Sequence, residues 1–155
     1  MHTHTIDWTH SYKAGPLLPG FFELRKREFV DRKQWQLPST AVAEWDMYDT
    51  PAAVYIIVEM DGQCVGGARI VSTTHHGYGP YTYMLLDAQK GTISGIPPEM
   101  LPANLPQSNA VVEATRFVVD PSLPRREVLR AYAMIVEGVK SAARAQVANT
   151  ALALM

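Results

Sequence analysis

The stretch Val111-Val112-Glu113-Ala114-Thr115-Arg116-Phe117-Val118-Val119 limits the possible folds more than any other part of the chain. Its β-branched and aromatic residues favour an extended strand, and a run this apolar belongs inside a sheet, buried on both faces. Yet it carries a carboxylate and a guanidinium. Strict alternation puts Val111, Glu113 and Thr115 on one face and Val112, Ala114 and Arg116 on the other. A buried charge is costly unless paired, so Glu113 and Arg116 require partners or a polar cleft. An internal ion-pair network that holds the sheet in register meets that requirement as well as a functional site does.

At 155 residues the chain is a single domain able to bury a core. An apolar fraction of 47% argues against disorder. A formal charge of −1 supplies no global field for nucleic acid or membrane, so a charged partner must be met by a local patch. The single cysteine, Cys64, excludes an internal disulfide and a multi-cysteine zinc site. There is no apolar run of span length, and Met1 to Asp7 has neither the cationic region nor the apolar core of a signal peptide. The cytoplasm is the expected compartment.

Residues 1–20 contain His2, His4 and His10, then Gly15-Pro16 and Pro19-Gly20, and read as an irregular arm. The histidines lack helical spacing and a nearby carboxylate pair, which argues against a metal. A helix is expected over residues 21–35, with Phe21, Leu24 and Phe29 on its apolar side and Arg25 and Phe29 neighbours on its surface. Glu44-Trp45-Asp46-Met47-Tyr48-Asp49 puts three acids in six positions. In an extended chain Glu44 and Asp46 share a face, and Asp49 joins them only if the chain turns. Crowded carboxylates need a shared cation: Arg25, Arg69, Arg116, a positively charged substrate or, ranked low, a hard metal.

Ala53 to Met60 and Cys64 to Ser72 read as a hairpin around Asp61-Gly62. Gly66-Gly67 signals a bulge or a close backbone approach, and Arg69 is a second interior charge seeking a partner. Residues 73–110 are loop-rich, with a short helix within Tyr81 to Lys90 closed by Gly91. A long helix runs from Arg125 to about Val147, with an apolar stripe of Val128, Tyr132, Ile135, Val136, Val139, Ala143 and Val147. Asn149 to Met155 reads as the opening of another apolar strand.

Taken together, Arg25, Phe29, Trp35, Glu44, Asp46, Asp49, Arg69, Glu113 and Arg116 form an ordered pattern: R-x-x-x-F, W, E-x-D-x-x-D, G-x-x-R, E-x-x-R-F. Over roughly residues 20–150 this resembles the acyl-homoserine-lactone synthases, the autoinducer synthases of quorum sensing. The resemblance implies a GNAT-like α/β fold, a three-layer αβα sandwich with a twisted mixed sheet and a substrate cleft. It implies acyl transfer from acyl carrier protein to the amine of S-adenosylmethionine, followed by lactonisation and release of methylthioadenosine. No cofactor is expected, S-adenosylmethionine being a substrate.

Under that resemblance Glu113 and Glu44 are candidate bases, Glu113 first, with Arg116 beside them. Arg25, Phe29, Trp35, Asp46, Asp49 and Arg69 form the S-adenosylmethionine site and its electrostatic cluster. Asp46 and Asp49 hold the cationic end, and Trp35 covers the sulfonium by cation–π contact. The arginines fix the carboxylates, and one orients the substrate carboxylate. Arg32, Lys33, Arg130, Lys140 and Arg144 are the pieces of a basic patch for the acidic carrier protein, although each reads equally as a solubilising charge.

Two departures stand out. Extra residues His75-His76-Gly77 precede Gly79-Pro80-Tyr81-Thr82-Tyr83-Met84-Leu85, and Gln89 falls where the family carries an aromatic. The C-terminal part is also shorter than in the family. Two rival readings follow. An acyl-coenzyme A GNAT enzyme would need a pyrophosphate loop, R/Q-x-x-G-x-G/A, and Gly66-Gly67-Ala68-Arg69 has the wrong order for one. A truncated homologue would bind S-adenosylmethionine or a partner without turnover.

Overall fold

The computed structural model describes residues 1–75 and 79–153. His76 and Gly77 of the extra loop and the last two residues of the C-terminal run lie outside them. Five strands lie side by side in chain order: β1 (His2–Ile6), β2 (Val54–Met60), β3 (Gln63–Ser72), β4 (Val111–Val119) and β5 (Thr150–Ala153). The first three junctions are antiparallel and β4 meets β5 in parallel, so the sheet is mixed. Asp61 and Gly62 close the β2–β3 hairpin at φ of 53° and 79°, the left-handed pair that a tight hairpin turn requires. The parallel junction needs a long crossover, supplied by helix α3 (Arg125–Ala145).

Helix α1 (Leu17–Arg25) and the π-helical turn Lys26–Arg32 cover one face of the sheet, and α3 covers the other. Phe21, Leu24 and Phe29 pack on Tyr55, Ile57, Val71 and Val118 on the first face. Ala131, Ile135, Val139 and Ala142 of α3 pack on Ile56, Val58, Ala68, Ile70 and Ala114 on the second. These are the three layers expected. Gly67 sets the spacing on the first face: a Cβ there would stand 2.8 Å from the Phe21 ring and 2.5 Å from the Ile56 carbonyl. Gly138 does so on the second, where a Cβ would fall 2.4 Å from Ile56 Cγ2.

The structure corrects three expectations of local structure. Residues 1–20 are not an irregular arm. His2–Ile6 adds an edge strand to β2, Trp8–Lys13 is a 3-10 segment capped by Asp7, and α1 already begins at Leu17. Alternating threonines and Ile6 suit a half-buried edge, and Pro19 falls in the first helical turn, where its missing N–H costs nothing. The helix expected over 21–35 changes to π geometry after Arg25, and Arg25 and Phe29 are both buried, not surface neighbours. In α3 the buried residues are Ala131, Ile135, Gly138, Val139, Ala142 and Ala143; Ile135, Val139 and Ala143 lie on the expected stripe, whereas Tyr132, Val136 and, just past the helix, Val147 are exposed. Small residues win the sheet side because they let the helix come close.

The short helix α2 (Met84–Gln89) ends at Gly91, whose φ of 73° terminates it as expected. Its buried Tyr83, Leu85 and Leu86 pack with Ile96, Leu101, Leu105 and Leu152, which roofs the β4–β5 end of the first face.

Candidate functional site

The first face carries the polar residues. Arg69 on β3 stands opposite Tyr55 on β2 and Thr115 on β4, and Val71 stands opposite Glu113, so these side chains share that face. Arg116 joins them, against the expectation from alternation. The β3–β4 register slips between Gly67–Val118 and Arg69–Thr115, and Arg116 sits in the slip at φ 58°. A bulge residue shifts the side-chain phase, so Arg116 turns to the face of Glu113 and Thr115. Gly66-Gly67 did signal this irregularity, but the extra residue lies on the partner strand.

The acidic segment is shaped by its own carboxylates. The Tyr48 amide donates to Asp46 Oδ1 and the Asp46 amide to Asp49 Oδ2, both at 2.8 Å. These Asx-type bonds turn the chain and bring Asp49 round beside Asp46. The Glu44 amide donates to the Phe22 carbonyl at 3.1 Å, anchoring the segment to α1.

Six side chains then close a ring of alternating charge. Arg25 donates from Nε to Glu44 at 2.5 Å and through both Nη atoms to Asp49 at 2.9 and 2.8 Å. Asp49 meets Arg69 Nη1 at 2.9 Å. Arg69 donates to both oxygens of Asp46, at 2.6 and 3.2 Å. Arg116 Nη2 returns from Asp46 at 2.6 Å to Glu44 at 3.3 Å. The cation shared by the three carboxylates is therefore arginine, and the ring is neutral overall.

All six side chains are at least nine-tenths buried. Burial alone would raise the Asp46 and Asp49 carboxyls. The guanidiniums of Arg69 and Arg116 around Asp46, and of Arg69 and Arg25 around Asp49, outweigh it and hold both below the usual carboxylate range. Two donors of the ring, Arg69 Nε and Arg116 Nε, are buried without a hydrogen-bond partner among the described residues.

Glu113 is outside the ring. Its two oxygens accept the amides of Met84 at 2.9 Å and Leu85 at 2.7 Å, so a carboxylate from β4 caps α2, whose own N-cap residue Tyr83 provides no side-chain bond. Burial pushes the Glu113 carboxyl up, against the two amides and Arg69, which pull it down. Arg116 Nη1 reaches Met84 Sδ at 3.8 Å, linking the ring to the same helix.

Phe29 and Trp35 stack at 5.1 Å with 8° between planes, held by a bond from the Trp35 amide to the Phe29 carbonyl across the π turn. The cation over the Trp35 ring is the chain's own: Lys33 Nζ lies 4.7 Å from its centroid. Gln89 donates to the Pro102 and Ala103 carbonyls and ties down the proline-rich loop.

The five basic residues do not share a face. Arg32 and Lys33 lie at the end of the π turn on one side of the sheet, whereas Arg130, Lys140 and Arg144 lie on α3 on the other. Arg32, Arg130 and Lys140 also meet acids on their own helices, Glu28, Glu127 and Glu137. Concavities open at the site and beside the π turn. One of about 190 Å³, lined by Trp8, Phe22, Trp45 and Tyr55, reaches Asp49. The other, of about 520 Å³, lies between the π turn and the β4–α3 turn, lined by Arg27, Glu28, Arg32 and Asp120. Sequence reasoning missed Asp87 and Tyr48, both buried and bonded to each other at 2.8 Å. The only trace of them was an acid within a helix and a tyrosine between two aspartates.

The chain matches the autoinducer synthase family over residues 11–143. It belongs to that family. An acyl-homoserine-lactone synthase of Vibrio anguillarum is 32% identical over 117 residues, covering 73% of this chain and 53% of its own length. One from Pseudomonas amygdali pv. tabaci is 28% identical over 117 residues, covering 74% of this chain and 46% of its own. The chain thus spans about half the length of these curated relatives. Among solved structures, the CoA-dependent acyl-homoserine lactone synthase BjaI with SAM and isopentyl-CoA superposes with a TM-score of 0.74 at 22% identity, covering 99% of this chain and 65% of that one. The AHL synthase LasI superposes with a TM-score of 0.67 at 26% identity, covering 98% and 71%. The fold is that of the acyl-homoserine-lactone synthases, and GNAT-like. Among the described residues no helix is long and apolar enough to cross a membrane.

Proposed function

We propose that this chain is the part of an acyl-homoserine-lactone synthase that binds S-adenosylmethionine and activates its amine. The carrying observation is the closed six-charge ring with Glu113 held beside it on the α2 amides. Such a ring is a poor stabiliser compared with apolar packing, which favours a functional use for it.

Glu113 is the base we assign. Glu44 spends both oxygens on guanidiniums, whereas Glu113 faces two amides and no guanidinium bonds it, so lone pairs remain for a proton. A raised carboxyl is suited to take a proton from an ammonium, directly or through a bridging water. The freed amine attacks the thioester carbon and the thiolate leaves. The methionine carboxylate then attacks its own Cγ, closing the lactone as the C–S bond to methylthioadenosine breaks. Arg116, with Nε uncommitted, orients that carboxylate. Trp35 covers the sulfonium once Lys33 withdraws from its ring.

The acyl donor is acyl carrier protein in this reading. Two docking faces replace the single patch, Arg32 with Lys33 and Arg130 with Lys140 and Arg144. BjaI is CoA-dependent, so acyl-CoA is the competing donor. The deciding assay mixes the chain with S-adenosylmethionine and either donor and follows methylthioadenosine and lactone by mass spectrometry. Turnover that falls at least about 100-fold in Glu113→Gln, with S-adenosylmethionine binding retained, supports the base. Reversing the charges of either basic group should raise KM for the carrier protein alone. Binding of S-adenosylmethionine without product from either donor would favour the non-catalytic homologue.

A further inference from the structure

Helix α2 spans only Met84–Gln89 and is too short to persist unaided. Its position decides whether the Met84 and Leu85 amides reach Glu113. Besides Glu113, one buried carboxylate fastens it. Asp87 accepts the Thr82 amide at 2.8 Å, the Thr82 hydroxyl at 2.6 Å and the Tyr48 hydroxyl at 2.8 Å. All three are donors, which is what an ionised carboxylate accepts. Tyr48 belongs to the acidic segment: its amide is bound by Asp46 and its ring lies 5.6 Å from Arg69 Cζ. Asp87 therefore joins α2 to the charge ring without being part of it.

We infer that Asp87 is a positioning residue for Glu113: through Thr82 and Tyr48 it holds the α2 amides on the Glu113 carboxylate, and it sets a second buried negative charge nearby. The inference rests on the reading of Glu113 as the base and deepens it. The groups that face Glu113 are Arg69 from β3, Tyr48 from the acidic segment, and Tyr83 and Asp87 from α2 and its entry; β5 presents Leu152. The two functions of Asp87 oppose each other. The amides it steadies favour the Glu113 anion, and its own charge disfavours it.

Two substitutions separate them. Asp87→Asn keeps the tether, because an amide oxygen can accept from Tyr48 and the Thr82 N–H while its NH₂ donates to the Thr82 hydroxyl; only the charge is lost. Tyr48→Phe keeps the charge and the Thr82 bonds and cuts the link from α2 to the acidic segment. The Glu113 side-chain carboxyl is titrated by ¹³C NMR in the full chain, its signal assigned by its loss in Glu113→Gln. Asp87→Asn should lower the midpoint by about 1 unit. Tyr48→Phe should raise it and speed hydrogen exchange at the Met84 and Leu85 amides about tenfold or more. An unmoved midpoint in Asp87→Asn, or wild-type protection of both amides in Tyr48→Phe, overturns the inference. In the turnover assay the acid limb of kcat/KM should follow the midpoint, with KM for S-adenosylmethionine unchanged. A wild-type chain without turnover would count against Glu113 as base, and the titration would still decide the positioning.

Discussion

Helix α3 meets its side of the sheet through Ala131, Ile135, Gly138 and Ala142, whereas on the other side the three carboxylates of the acidic segment meet Arg25 of α1 and Arg69 and Arg116 of the sheet. The same strands serve both: Ile56, Ala68 and Ala114 point to the dry side, Tyr55, Arg69 and Thr115 to the charged one. Dry packing is non-directional and tolerates volume-conserving exchange. The charged side is directional, and each guanidinium bridges two acids, so removing one member leaves others buried and unpaired. The difference separates what holds the sheet together from what arranges a site on it.

Breaking the ring should have the largest effect. Arg69→Met leaves Asp46 and Asp49 short of their shared partner and should cost about 3–5 kcal/mol, read from urea unfolding followed by circular dichroism. A loss below about 1 kcal/mol would mean that the ring is not cooperative. On the dry side Ile135→Ala should cost about 3 kcal/mol in the same experiment. The two variants should differ in pH dependence, since only the first touches titrating groups.

That dependence can be given a sign. Asp46 and Asp49 have folded values below the ordinary carboxylate range. The unfolded chain therefore takes up protons first as pH falls. The ring's contribution is complete above about pH 5 and disappears as the pH drops through the lowered values, a change of about 2 kcal/mol or more. Thermal melts from pH 7 to pH 2 check this for the wild type. In Arg69→Met the acid decline should be shallower, and an equally steep decline would locate its source elsewhere.

The smallest expected effects concern backbone strain on each side. Val147 is 85% exposed at φ 62°, a β-branched residue in the left-handed region just past α3. Val147→Gly should gain about 1 kcal/mol. Arg116 is strained likewise at φ 58°, but its ion pairs hold it there. Arg116→Gly should lose stability, though about 1 kcal/mol less than Arg116→Ala does. Equal losses would show that the ion pairs alone set the cost.

Much of the site was legible because its residues violate local rules. A glutamate and an arginine in an apolar strand, three acids in six positions and an arginine after paired glycines each require an explanation, and their order resembles one family. The β2–β3 hairpin, α2, α3 and β5 were legible because their periodicity and turn residues agree. Residues 1–20 were not, because an edge strand of threonines and histidines has too little apolar alternation to distinguish it from a loop. The apolar stripe of α3 was right at Ile135, Val139 and Ala143 and wrong at its edge for a related reason: counting large side chains favours Tyr132 and Val136, while close approach to the sheet favours Ala131 and Gly138.

The sequence by itself determined which elements form and which charges must be buried, since propensity, turn chemistry and the cost of an unpaired charge are local or additive properties. Only the tertiary structure decided how those charges pair and which way they face. One bulge residue at Arg116 reverses the phase of a strand, and the turn at Asp46 to Asp49 brings the last acid of the segment onto Arg25 and Arg69. Such choices depend on register and on contacts between distant segments, among them Tyr48 with Asp87 and Glu113 with the α2 amides.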